Sequence, residues 1–156
     1  SEVSKAVAMM AAILDYEIVV CDPRLEKIET WSVEGVTVIQ GMPDEVIAAQ
    51  PSLEFTAVLA LTHDPRIDDL GLMEALTREA FYIGAMGSQR SAKKRRERLL
   101  QLDLSEQQLD VLRAPIGLDI GSKTPAEIAL SILADITRER RIRARASIPL
   151  AATAVS

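Results

Sequence analysis

Two glycine-bearing turns hold the residue types in this sequence best suited to meeting an anion. Phe81-Tyr-Ile-Gly-Ala-Met-Gly-Ser-Gln-Arg-Ser91 runs from an apolar stretch through Gly84 and Gly87 to Ser88 and Arg90. The glycines permit a positive φ or a close backbone approach, Ser88 can cap the helix that follows, and Arg90 can fork onto a phosphate or carboxylate. Ala114-Pro-Ile-Gly-Leu-Asp-Ile-Gly-Ser-Lys-Thr-Pro-Ala-Glu-Ile-Ala129 sets Asp119 between two glycines and Lys123 at a helix start. Helix N-termini present free N–H groups and a dipole that favour an anion. Each turn also has a plainer reading, the first as a β–α connection and the second as a capping box on a tight link.

Two shorter clusters end apolar runs. Thr62-His63-Asp64-Pro65 contains the only histidine. An imidazole with an ordinary pKa of about 6.5 can move a proton or contact an anion; alternatively, His63 and Asp64 shape the turn. Asp22-Pro-Arg24 follows Glu17-Ile-Val-Val-Cys21. In a dinucleotide-binding unit an acid about 20 residues beyond the glycine fingerprint takes the ribose hydroxyls. Counting back from Asp22 reaches the start of the chain, so the fingerprint is expected just before Ser1. Arg24 could accept a ribose phosphate. The plainer alternative is a strand-ending turn in which Asp22 bonds local N–H groups. Cys21 and His63 on separate strands make a poor ligand set, and no metal is expected. Lys93-Lys-Arg-Arg96 and Arg98 read as a solvated basic face, with partner docking as the alternative.

The elements that must position these groups follow from periodicity. Residues 1–14 read as a helix, with apolar residues at 3, 6, 7, 10, 13 and 14. Strands are expected at 17–21, 36–39, 55–61 and 81–85, and helices at 43–49, 68–79, 88–102, 105–112 and 124–141. Alternating strands and helices imply an open parallel sheet covered on both faces, an α/β Rossmann-like domain over residues 1–142. Nothing before the first helix supplies a first strand or its glycine loop, and both are expected upstream. Residues 143–156 read as a frayed tail.

Bulk properties bound the partners. The 156 residues carry a net charge of −5, which argues against nucleic acid as a partner. Aromatic content is 3%, too low for base-stacking platforms. No run approaches the ~20 apolar residues of a membrane span. A single cysteine excludes an internal disulfide framework and suits a cytoplasmic protein.

Taken together, Leu61-Thr-His-Asp-Pro65, residues 81–90 and residues 114–129 resemble the XdhC/CoxI family, specifically its C-terminal Rossmann-like domain. The resemblance covers roughly residues 1–141. It implies a chaperone, rather than a catalyst, that binds molybdenum cofactor (molybdopterin). Such a protein assists sulfuration of the cofactor and its insertion into xanthine dehydrogenase or a related molybdenum hydroxylase. It further implies a homodimer and a cysteine desulfurase as an additional partner. The family's strand and Gly-x-Gly-like turn before Val3 do not occur here, nor does its N-terminal domain, whose cysteine is implicated in cofactor binding. Gln89 stands where the family usually has a basic residue. Asp22, Arg24, Thr62, His63, Asp64, Gly84, Gly87, Ser88, Arg90, Asp119 and Lys123 form the candidate cofactor-binding set. An NAD(P)-binding oxidoreductase domain, or one taking another nucleotide, remains the alternative.

Overall fold

The computed structural model describes residues 1–147. Helix α1, Glu2–Ile13, begins at a capping box in which Ser1 accepts from the Ser4 N–H and Ser4 reciprocates. Its stripe of Val3, Val7 and Ala11, spaced by four, is buried. Strand β1, Val19–Asp22, pairs in parallel with β2, Thr37–Gln40, across the short helix α2, Leu25–Glu29. Helix α3, Pro43–Ala48, leads to β3, Ala57–Ala60. Helix α4, Pro65–Thr77, crosses over to β4, Tyr82–Ala85, which pairs in parallel with β3. Helices α5, Gln89–Leu100, α6, Glu106–Leu109, and α7, Pro125–Ser147, complete the chain.

The strands form two separate pairs, β1–β2 and β3–β4. In the doubly wound order 3-2-1-4-5 these are the two outer pairs, and the position between β1 and β3 holds no strand among the described residues. The expected Rossmann-like α/β architecture without its first strand is therefore what the chain adopts. Two apolar cores lie on opposite faces. One joins Leu72, Ile83, Leu99 and Leu109 beneath α4, α5 and α6. The other joins Val3, Val7, Tyr82, Ile132 and Ile136 beneath α1 and α7. Inside the second, the Tyr82 hydroxyl donates to Asp135 at 2.6 Å, and Arg113 and Arg138 pair with the same carboxylate.

The structure moves several expected boundaries. Ladder pairing begins later than the apolar runs, at Val19 and Ala57 rather than 17 and 55. Helix α4 starts three residues early because Asp64 caps it by accepting from the Arg66 N–H at 3.0 Å. Helix α2 was not expected. Helix α7 runs past residue 141 to Ser147, so the first part of the expected tail is helical. Residues 148–156 of that tail lie outside the described residues. Among the described residues no helix is long and apolar enough to cross a membrane.

Candidate functional site

Parallel α/β sheets bind ligands beyond the carboxyl ends of their strands, and three of the expected clusters lie there. After β1, Asp22 is buried and accepts from the Arg24 N–H, Nε and Nη2, each at 2.9 Å. After β3, Asp64 repeats this arrangement with Arg66, whose N–H and Nε lie at 3.0 Å and Nη2 at 2.8 Å. The two Asp-Pro-Arg sequences thus build the same fork at the ends of β1 and β3. Burial pushes the Asp22 carboxyl up, but the Arg24 bonds outweigh it and hold the group below its ordinary range. Asp64 is lowered by the side-chain and backbone bonds from Arg66. Both forks occupy their own carboxylates. The local-turn reading of Asp22 is present in full, and the ribose reading would require Arg24 to let go.

Just before the second fork, Thr62 is held by α4. Its Oγ1 donates to Asp68 Oδ1 at 2.7 Å, and its N–H reaches the same oxygen at 3.3 Å. Asp68 is 3% exposed and its Oδ2 accepts no hydrogen bond. Burial pushes this carboxyl above its ordinary range, opposed by Thr62 and by Arg95, whose Nη2 is 3.9 Å away. His63 adopts φ 66°, a left-handed conformation that turns the chain into α4.

The turn after β4 faces this loop across a cavity of about 260 Å³. His63 and Pro65 line one wall, Met86 and Gly87 line another, and α5 supplies Ser91, Lys94, Arg95 and Arg98. Gly87 has φ 153°, and an added Cβ would overlap Ser91 Oγ. Ser88 caps α5 by accepting from the Ser91 N–H at 3.1 Å. Arg90 and Ser88 are exposed and do not line the cavity. The basic stretch expected to be a solvated face is only partly so. Arg95 is 4% exposed, with Nε 3.2 Å from Asp69, and Arg98 Nε lies 2.7 Å from the same residue. Sequence reasoning missed Asp68, Asp69, Arg95 and Lys94 as site residues. The only available signal was the adjacent Asp-Asp pair on the inward side of a helix pattern.

The second glycine motif serves packing. Arg113 bridges to Gly84 in parallel, and the Ile116 N–H donates to Ala85 at 3.0 Å, so the segment runs alongside β4. Ile116 covers Gly84 so closely that an added Cβ would sit 2.5 Å from its side chain. At α7 the Lys123 and Thr124 N–H groups donate to Glu127 Oε1 at 2.9 and 3.0 Å. The donors expected to meet an anion are engaged by the helix's own capping box. Asp119 and Lys123 are exposed, and neither lines the cavity beside His63. A larger cavity of about 510 Å³ lies by Phe81, Arg113 and Glu139, at the amino end of β4, and includes none of the expected site residues. Cys21 lies within β1, and burial followed by the nearby Asp22 raises its thiol pKa.

A family model described as the XdhC Rossmann domain matches residues 1–136. Among curated proteins, the chain is 34% identical over 85 residues to the molybdenum cofactor insertion chaperone PaoD of Escherichia coli K12, covering 54% of this chain and 27% of that protein. It is 28% identical over 139 residues to the uncharacterized protein YqeB of the same organism, covering 86% and 25%. A solved structure described as a xanthine dehydrogenase from Bacillus halodurans superposes with a TM-score of 0.78 at 29% identity, covering 96% of this chain and 43% of the other. The chain thus spans about a quarter of the length of these curated relatives.

Proposed function

This chain belongs to the XdhC Rossmann-domain family, and from that premise we propose that it is the ligand-holding domain of a molybdenum-cofactor maturation chaperone. Its relative PaoD is a molybdenum cofactor insertion chaperone, which supports the coarse role. The observation that carries the finer reading is the cation-walled cavity at the carboxyl ends of β3 and β4. Molybdopterin ends in a phosphate, and Lys94, Arg95 and Arg98 are suited to that end of the molecule. The fit is to the phosphate rather than to the metal. Cys21 is kept as a thiol within β1, and no group of three His, Cys, Asp or Glu residues is poised for a metal among the described residues.

In this proposal the Thr62–Asp64 loop and the Gly84–Arg90 turn close over the ligand, with the Asp22–Arg24 fork at the rim. When bound, the cofactor supplies the molybdenum chemistry of the client enzyme; this domain holds and orients it. Sulfuration with a cysteine desulfurase, delivery to xanthine dehydrogenase or a related hydroxylase, homodimerisation and a cytoplasmic setting complete the proposed role. The test is a molybdopterin titration of this chain and of a form extended ahead of Ser1, followed by fluorescence quenching, with Lys94→Ala and Arg98→Ala variants. Saturable binding weakened in the variants supports the proposal. Absence of binding to both proteins, or tighter binding of NAD(P) than of molybdopterin, overturns it.

A further inference from the structure

The α5 wall of the cavity contains a guanidinium that is largely buried and only partly engaged by the protein. Arg95 is 4% exposed. Its Nε donates to Asp69 Oδ1 at 3.2 Å, and its Nη1 reaches the Met86 carbonyl only at 3.5 Å. Its Nη2 makes no hydrogen bond, with Asp68 Oδ2 lying 3.9 Å away. A guanidinium carries five N–H donors, and Arg95 lines the cavity with part of that capacity unused. One turn of helix places Lys94 and Arg98 beside it, and Lys94 forms none of the ion pairs that tie Arg95, Arg96 and Arg98 to carboxylates. Ser91 lies at the same wall, its hydroxyl donating to the Ser88 carbonyl at 3.0 Å.

Three cations therefore border the cavity against two carboxylates, and Asp69 already takes two of the cations. We propose that the cavity is a phosphate-monoester site in which Arg95 Nη2 and the Lys94 ammonium hold the oxyanion, with Arg98 as a flanking donor. An oxyanion with several acceptor oxygens takes up the unused guanidinium donor and offsets the single excess positive charge, which a neutral group cannot do. Asp68 serves as a positioning residue: it ties the Thr62 loop to the Arg95 side of the cavity. The assignment rests on the chaperone reading only for the ligand's name. The shared chemistry is a terminal phosphate, supplied by a pterin cofactor or by a nucleotide.

Inorganic phosphate is the probe, titrated into this chain at low ionic strength and followed by 31P line broadening and calorimetry. Saturable one-to-one binding is expected. Lys94→Ala should weaken it about fivefold or more and Lys94→Glu should abolish it, whereas Lys93→Ala, on the solvent side of the same helix, should leave it unchanged. Circular dichroism identifies any variant that fails to fold, and the exposed position of Lys94 makes that a remote confound. No saturable binding by the parent chain, or equal weakening by Lys93→Ala and Lys94→Ala, overturns the site. Phosphate binding that persists while molybdopterin fails to bind overturns the chaperone reading and leaves the site standing. Competition by molybdopterin against competition by NADP then distinguishes the two sources of the phosphate.

Discussion

At the scale of single residues, the structure separates groups that build the site from groups that keep it in shape. Gly84 is the clearest case of the second kind. Its candidacy came from its place in a phosphate-friendly turn, but its hydrogen is covered by Ile116 at a distance no Cβ could share. Gly84→Ala should destabilise the fold by about 1–3 kcal/mol in urea denaturation, as overpacking does. Pairing it with Ile116→Val should recover part of the loss, which a purely ligand-binding glycine would not show. Asp68 gives a pH-dependent test. Burial lifts its carboxyl above the ordinary value of 3.8 despite the bonds from Thr62 and the proximity of Arg95. The folded chain then binds that proton more tightly than the unfolded chain. Asp68 therefore contributes stability that is fully present below pH 3.8 and is lost as pH rises through its raised folded value. Asp68→Asn keeps an acceptor for Thr62 and cannot ionise. Its melting temperature relative to the parent should climb from about pH 4 toward neutrality. A flat or falling difference would show that Asp68 ionises without penalty.

At the scale of elements, caps fix where the site-bearing helices begin. Ser88 starts α5 and Asp64 starts α4, while Thr124 and Glu127 close the first turn of α7 reciprocally. Thr124→Ala should cost about 1 kcal/mol in thermal or chemical denaturation and leave phosphate binding unchanged, since that helix end is engaged by Glu127 and lies apart from the cavity. A loss of phosphate binding with normal stability would instead return α7 to the site. Capping was the part of the structure most legible in the sequence: Pro43, Ser105 and Thr124 mark their helices correctly. Strand starts were less legible, because an apolar run records burial whereas pairing is decided by the partner strand. The five-residue α2 has too little sequence for a helical period to emerge. In the site, His63 and Gly87 were legible from their turns. Arg95 was not, because Lys93–Arg98 looks like a solvated face until α4 brings Asp68 and Asp69 against it.

At the scale of the whole molecule, the dominant fact is a sheet in two pieces. Among the described residues, each of β1 and β3 has a ladder partner on one edge and none on the other. In a parallel strand, alternate N–H groups point to opposite edges. Alternate amides within Val19–Asp22 and Ala57–Ala60 should therefore exchange hydrogen much faster than their neighbours. Extending the chain ahead of Ser1 with an apolar strand and a glycine turn should slow those amides selectively and raise the melting temperature. If the extension protects none of them, the two edges do not frame a common slot. The same division sets how the chain can fold. Each strand pair closes through its own short crossover and requires only nearby residues to meet, whereas α1 and α7 bring the two ends of the described chain together. Local pairs form quickly and distant ones slowly, because the entropy of closing the longer loop must be met first. The β3–α4–β4–α5 unit, whose residues line the cavity, can assemble before the ends dock. Stopped-flow refolding of Ile132→Val, in the α1–α7 core, should leave the folding rate nearly unchanged and speed unfolding, so the ligand cradle would exist before the molecule is closed around it.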